Sequence, residues 1–217
     1  MAQHFDLEEQ EQLEQLKHFW NTWGTLITTA LTLLALAFAG WSGYQYWQQR
    51  QARQATALAD AVEQAVQAGD QARVAQAFSD LRAGYGGTAQ AAQAGLQAAQ
   101  VQADAGKWDE AKTALAWVAE SGANAGYQAI ARLRLAGVLV EQKDYDGALA
   151  QLAGSFPAEF AALVADRKAD VLTLQDKKTE AIAEYRRAYA ALDARQEYRR
   201  VVEAKLNALG ARAGDAS

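Results

Sequence analysis

Hydrophobic residues follow two different patterns along this chain. Between Lys17 and Arg50 there is no Asp, Glu, Lys or Arg, and the stretch from 25 to 46 reads TLITTALTLLALAFAGWSGYQY. From about residue 56 onward, apolar residues recur every three or four positions, as in helices that bury one face. The first pattern predicts a membrane-spanning helix, because about 20 apolar residues rising roughly 1.5 Å each cross the hydrocarbon core. The second pattern predicts a helical domain.

Aromatic residues flank the apolar core at both ends. They are Phe19, Trp20 and Trp23 on one side and Trp41, Tyr44, Tyr46 and Trp47 on the other. Because amphipathic rings concentrate at headgroup depth, we expect the membrane helix to cover residues 20–47 and these rings to mark its interfaces. A buried helix of a soluble protein is the alternative, but such a helix rarely carries aromatic residues grouped at both ends.

A cleavable signal peptide is a second alternative, since Ala37-Phe38-Ala39 before Gly40 matches a signal-peptidase site. Signal peptides begin with a short basic region and have a shorter apolar core. Here residues 1–17 hold five acids and one lysine, a net charge of −4. We therefore favour an uncleaved anchor preceded by a short acidic segment, residues 1–19.

A repeated segment occupies the rest of the chain. Residues 69–78, 106–115, 143–152 and 176–185 align with one another, and the small or β-branched position at 74, 111, 148 and 181 recurs at spacings of 37, 37 and 33. Each unit has a turn, an aromatic position, a small residue and then a bulky apolar residue, and the two outer units are degenerate at the aromatic position. The predicted signature residues are Trp108, Ala111 and Leu115, then Tyr145, Ala148 and Leu152, then Ala181 and Tyr185. A period in the thirties with two helices per unit predicts a tetratricopeptide-like α-solenoid.

The expected architecture is therefore all-α, with about four helix pairs over residues 48–209. The first helix of each pair is expected near 56–68, 88–105, 125–141 and 158–175, and a capping helix is expected over 195–209. We expect Arg195, Arg199, Arg200 and Lys205 to form the solvated face of that last helix, and residues 210–217 to fray.

Candidate catalytic chemistry is sparse in the predicted domain. The sequence has no cysteine, and both histidines, His4 and His18, precede the domain. Asp109 and Glu110 are adjacent, so on a helix they should point apart and be poorly placed to share a substrate. The glycines at 84–87 lack the lysine of a phosphate loop. With 21 acids and 20 bases after the membrane helix, the domain also lacks the basic surface that nucleic acid requires. We expect no enzyme activity, no cofactor and no metal.

Two regions of the chain carry a family resemblance. One is EQLEQLKHFW at 11–20 with Gly40-Trp41 and Tyr46-Trp47; the other is LRLA at 133–136 before DYDGAL at 144–149, together with ADVL at 169–172. The chain resembles the bacterial inner-membrane family known as ancillary subunits of the SecYEG translocon. It departs from that family at Ala169, where a glycine is expected.

The resemblance implies a single-pass protein with a cytoplasmic N-terminus and a periplasmic domain. It implies association with the Sec translocon and transfer of translocated chains to periplasmic chaperones, with unfolded client segments as ligands. Local charge leans the other way, because Lys17 precedes the helix while Arg50 and Arg53 follow it. A periplasmic scaffold that coordinates envelope or cell-division complexes is the alternative function, and signal cleavage would accompany it.

Overall fold

The computed structural model describes residues 7–193 and 195–212, and it describes their side chains except those of 7–12, 15 and 16. Over these residues the chain forms nine α-helices and one 3₁₀ helix, and no strand. The all-α prediction is confirmed. The helices are α1 Leu7–Gln67, α2 Gln71–Tyr85, α3 Ala89–Asp104, α4 Trp108–Ser121, α5 Ala125–Glu141, α6 Tyr145–Leu152, α7 Ala161–Leu174, α8 Lys178–Ala191 and α9 Tyr198–Ala208, with the 3₁₀ helix Ala158–Phe160 before α7.

The chain divides into two compact units, Met1–Arg50 and Gln51–Ser217. The second unit contains four helix pairs. The first consists of the last part of α1 with α2, and the pairs α3–α4, α5–α6 and α7–α8 follow in chain order. Helix α3 also contacts α5, and α5 contacts α7. The first helices of successive pairs therefore stand side by side, as in a solenoid.

Five helices end in one kind of turn. Gly69, Gly106, Lys143, Asp176 and Gly210 all have positive φ, between 60° and 75°. After α3, for example, the Lys107 N–H donates to the Gln102 carbonyl (2.8 Å) and the Gly106 N–H donates to the Ala103 carbonyl (2.9 Å). This Schellman pattern satisfies carbonyls that the helix end leaves unpaired. The first four turns repeat at 37, 37 and 33 residues, the same spacings as the sequence repeat.

Small residues lie at matching places on the two helices of each pair. Ala99, Ala136 and Ala169 in the first helices precede Ala111, Ala148 and Ala181 in the second helices by 12 residues, and all six are at most 2% exposed. The first pair has Val62 and Val74, both 0% exposed, at the same places. Of the bulky signature residues, Leu115, Leu152 and Tyr185 are buried, while Trp108 and Tyr145 are half-buried against the core.

Gly95 lies where α2, α3 and α4 converge. A Cβ atom built there would stand 2.6 Å from Val118 Cγ2 and 3.0 Å from Phe78 Cε2. Both distances are shorter than ordinary carbon contacts of about 3.5–4.0 Å. A glycine is therefore required for these three helices to approach as closely as they do.

Neighbouring pairs are joined by a hydrogen bond that recurs. The Gln142 amide at the end of α5 donates to Asp109 in the first turn of α4 (3.0 Å). The Gln175 amide at the end of α7 donates to Asp146 in the first turn of α6 (2.9 Å). Each bond ties the first helix of one pair to the second helix of the preceding pair, so successive units are held in register.

Helix α9 is attached to α7 through a cluster of polar side chains. Lys205 Nζ lies 2.9 Å from Asp166 Oδ1 and 2.7 Å from Asp170 Oδ1. The Tyr198 hydroxyl donates to Asp166 and the Tyr185 hydroxyl donates to Asp170, both at 2.6 Å. Asp166 is 0% exposed, and these donors satisfy it. Burial and then the hydrogen bonds to these carboxylates raise the pKa of Tyr185 and of Tyr198 well above the usual value, so both phenols stay neutral.

This cluster corrects the prediction that Lys205 belongs to a solvated face. Its side chain is only 28% exposed and is fixed between two aspartates. Arg195 and Arg200 are exposed, and Arg199 lies over the Tyr189 ring at 4.0 Å. On a helix wheel Lys205 falls between Val201 and Val202, on the apolar side of α9, but the wheel does not show that α7 presents two acids to it.

Helix α9 resembles the first helix of a further pair. It ends in the same turn at Gly210, and the Ala211 N–H donates to the Leu206 carbonyl at 3.1 Å. Glu203 occupies the position held by Ala99 and its counterparts, and it is exposed because no helix follows α9 within the described residues. The predicted frayed tail lies largely outside those residues, and Ala211 itself is 8% exposed.

The crossing positions generate a stability prediction. We expect Ala148→Leu to destabilise Gln51–Ser217 by about 1–3 kcal/mol, since the buried site has no room for an isobutyl group. Ala111→Leu should behave likewise. Urea unfolding followed by circular dichroism measures the effect, and Ala150→Leu, at an exposed position of the same helix, is the matched control. If both buried variants unfold at the same urea concentration as the control, these positions do not limit the helix approach.

Candidate functional site

The uncharged part of α1 exposes a large apolar surface. Leu26, Leu34 and Phe38 are 61%, 66% and 72% exposed. The seven flanking aromatic residues are each at least half exposed: Phe19, Trp20, Trp23, Trp41, Tyr44, Tyr46 and Trp47. Among the described residues, one helix is long and apolar enough to cross a membrane by length and composition, with a mean hydropathy of 1.6 over its best window. So much exposed apolar area fits a membrane anchor.

The two faces of this segment differ in character. At helical spacing, one face carries Trp20, Trp23, Ile27, Leu31, Leu34, Phe38 and Trp41. The other face, which we call the threonine–glycine stripe, carries Thr22, Thr25, Thr29, Thr32, Gly40 and Gly43, with Leu36 between. Small and hydroxylated residues let two membrane helices approach closely, whereas large side chains suit contact with lipid.

Three of the four threonines in the stripe donate their hydroxyl protons within the helix. Thr29 Oγ1 donates to the Thr25 carbonyl and Thr32 Oγ1 donates to the Thr28 carbonyl, both at 2.7 Å. Thr22 donates to the His18 carbonyl at 2.9 Å. Because these bonds occupy three of the hydroxyl protons, they lower the cost of placing the stripe in a hydrocarbon environment.

The repeat unit has a groove between α3 and α5, with α4 as its floor, and we call it the first-helix groove. Its cavity has a volume of about 320 Å³. It is lined by Ala99, Gln100, Ala103, Asp104, Trp108, Leu115, Arg134, Gly137, Val138 and Glu141. Of the predicted signature residues, Trp108 and Leu115 therefore line this cavity, whereas Ala111 and Ala148 are not among its lining residues.

Arg134 fixes the relation between the two walls of this groove. Its Nη1 donates to the Leu96 carbonyl of α3 at 3.3 Å. Gly137 lies on the α5 wall, as Arg134 does, and a Cβ atom built there would meet no atom within 4 Å. The groove thus has a hydrogen bond that joins its two walls, and at Gly137 it has unoccupied space beside the backbone where an incoming chain could lie.

A second cavity, of about 340 Å³, lies between α2 and α4 with α3 as its floor. Asp109 and Glu110 both line it, together with Phe78 and Gln102. We expected these adjacent acids to be poorly placed to share a substrate, yet both line this cavity, because it includes the first turn of α4.

Several of these residues were missed by sequence reasoning. Gly95 and Gly137 look like ordinary helix-weakening glycines until the neighbouring helices are placed. The cluster around Asp166 had a usable signal, since Asp166 and Asp170 are four residues apart, as two acids on one helix face opposite a basic last helix would be. In the described part of the chain, no group of three or more His, Cys, Asp or Glu is arranged to hold a metal ion.

The chain is similar to known proteins over most of its described length. The family of the tetratricopeptide repeat-like domain matches residues 17–211, which include the apolar segment as well as the repeats. A relative from Neisseria gonorrhoeae, described as an ancillary SecYEG translocon subunit, is 37% identical over 152 residues. That alignment covers 70% of this chain and 73% of the relative. With its exposed apolar helix and its paired helices, the chain belongs to the family of ancillary SecYEG translocon subunits.

Proposed function

We propose that the chain is anchored in the bacterial inner membrane by residues 20–47, associates there with the Sec translocon, and passes translocated segments to periplasmic chaperones. The observation that carries this proposal is the exposed apolar segment of α1, with aromatic residues at both ends, in a member of this family. The repeat fold and the translocon-subunit relative fit a scaffold without catalytic activity.

Our proposal places the N-terminus in the cytoplasm and the repeats in the periplasm. Lys17 is the only lysine or arginine before the apolar segment, and Arg50 and Arg53 follow it. That difference of one charge favours the opposite orientation, but long domains translocate largely regardless of charge and acids contribute little. The family resemblance in residues 8–51 supports the inward N-terminus.

The threonine–glycine stripe is the surface we propose for contact with membrane helices of the translocon. Its small residues allow close packing, which drives helix association where lipid is as apolar as the helix surface. An anchor that holds the repeats beside a partner in the same membrane also raises their effective concentration at that partner.

The first-helix groove is the surface we propose for translocated segments. Arrays of paired helices recognise extended or helical peptides along the face formed by their first helices. A cavity of about 320 Å³ holds only a few side chains, so each contact would be weak and readily exchanged. Weak, exchangeable binding suits a protein that transfers its ligand to a chaperone.

The orientation can be tested directly because the sequence contains no cysteine. Ser155→Cys and Glu14→Cys each introduce one thiol at an exposed position, one in the repeats and one in the N-terminal segment. In intact spheroplasts, a membrane-impermeant maleimide should label the Ser155→Cys variant and should label the Glu14→Cys variant only after lysis. The reverse pattern would place the repeats in the cytoplasm and remove periplasmic chaperones from the partners.

The role of the anchor is tested by co-purification with the translocon. Gln51–Ser217 expressed alone should fold but lose this association. In the full chain, Thr29→Leu combined with Gly40→Leu should weaken association severalfold, because bulky groups prevent close helix approach. Leu31→Ile with Leu34→Ile, on the opposite face, is the matched control. Equal recovery of the translocon with the isolated domain would refute a partnering role for the anchor.

The groove is tested by filling it. We expect Gly137→Leu to reduce crosslinking of a translocating chain several-fold without lowering the melting temperature, since the added side chain would occupy open space. Gly84→Leu, at an exposed helix position with equally open surroundings, is the control. Unchanged crosslinking in the Gly137→Leu variant would mean that translocated segments do not use this groove.

A further inference from the structure

The cavity between α2 and α4 contains a buried polar group without a protein partner. Gln102 is 6% exposed and lines the cavity, and no described protein group donates a hydrogen bond to its Oε1. The turn after α3 does not explain the buried side-chain amide of Gln102, because the Lys107 N–H in that turn bonds to the Gln102 backbone carbonyl. A buried acceptor left unpaired lowers stability, so its presence here points to a donor supplied from outside the chain.

The surroundings of Gln102 are apolar and fixed in position. Phe78, Ala98 and Ala114 line the cavity beside it. The Phe78 ring packs edge-on against Trp117 with centroids 5.5 Å apart. The Arg82 guanidinium, which also lines the cavity, lies 5.9 Å from the Phe78 centroid. These contacts hold the ring in place, so it offers a preformed surface to an apolar side chain.

The rim of the cavity carries an unpaired negative charge. Asp109 accepts a hydrogen bond from the Gln142 amide, whereas Glu110 has no ion pair or hydrogen bond to the described residues. Arg82, on the α2 wall, lies 5.9 Å from the Phe78 ring centroid and forms no ion pair with these acids. A ligand that places a cation beside Glu110 would therefore meet complementary charge.

We propose that this cavity binds an extended peptide segment. An apolar side chain of the segment packs against Phe78, a backbone N–H donates to Gln102 Oε1, and a neighbouring lysine or arginine lies beside Glu110. An extended chain exposes free N–H groups, whereas those of a helix are occupied internally beyond its first turn. The volume of about 340 Å³ is at the lower end for ligand sites, which suits one or two side chains.

This site is separate from the first-helix groove. The two cavities lie on opposite sides of the α3–α4 pair and share no lining residue. The proposal therefore goes beyond the function proposed above, and its failure would leave that function untouched. Two peptide sites on one domain would allow a segment to be held at one while another part of it is released.

The experiment uses the full-length protein in phospholipid nanodiscs and a fluorescein-labelled, acetylated and amidated heptapeptide with a central lysine–leucine pair. One companion peptide has N-methyl-leucine, which lacks the donor, and another has glutamate in place of lysine. Fluorescence anisotropy gives Kd. We expect N-methylation to weaken binding to the unaltered protein about threefold to tenfold, the effect of one hydrogen bond.

Variants then assign the contacts. Gln102→Leu should weaken the parent peptide about as much as N-methylation does and should make N-methylation itself without effect. Glu110→Lys should reverse the preference between the lysine and glutamate peptides. Gln93→Leu, at an exposed position of the same helix, is the control and should bind like the unaltered protein. Gln102→Leu should also raise the melting temperature without peptide, because it removes an unpaired buried acceptor.

Three results would overturn the proposal. The first is the absence of saturable binding up to about 1 mM peptide, because a Kd above that value is weaker than specific recognition requires. The second is equal binding of the N-methylated and parent peptides. The third is that Gln102→Leu binds the parent peptide as the unaltered protein does. The N-methylation comparison needs no protein variant, so the proposal remains falsifiable even if a substitution disturbs folding.

Discussion

The close approach of paired helices across a left-handed turn is the constraint on which the repeat structure depends. The turn residue at positive φ, such as Gly106, sends the chain back along its own helix, so the same two faces meet in every pair. Those faces can meet only where side chains are small, as at Ala99 and Ala111, or absent, as at Gly95. Lys143 and Asp176 adopt the same backbone without being glycines, at a cost of about 1–2 kcal/mol each that the surrounding packing must offset.

In the described part of the chain, the last helix pair, α7–α8, has no further pair to cover its outer face, and α9 covers that face instead. Helix α9 buries Val202 and Leu206 in the apolar core like the internal helices. In addition, Lys205 joins it to α7 between Asp166 and Asp170, with two tyrosine hydroxyls completing the cluster. Removing one member of such a buried cluster would leave an uncompensated buried charge, so each charged group must keep its present partners. Its geometry therefore restricts α9 to one register on α7, which fixes where the array of helices is capped.

Helix α1 meets two opposite requirements along its length. Over residues 20–47 its apolar side chains are exposed and most of its threonine hydroxyls are bonded internally, as suits a hydrocarbon solvent. In the second unit the same helix buries Ala55, Val62 and Ala65, each at most 1% exposed, as a water-soluble core demands. One helix thus carries both surfaces on which the proposed function rests, an anchor for a membrane partner and the start of an array that binds chain segments.

The sequence by itself determined the features that depend on local order along the chain. An uncharged apolar run, aromatic residues at its ends and a repeat at spacings of 37, 37 and 33 suffice to predict a membrane helix and an α-solenoid. Each of these signals can be read along the chain without knowing which helices contact one another. Tertiary structure alone decided the rest: that Lys205 is paired, that Asp109 and Glu110 reach one cavity, and that Gln102 is buried without a donor. Such properties depend on which distant helix lies opposite a residue, and periodicity within a helix specifies the side that is buried but not the neighbour that covers it.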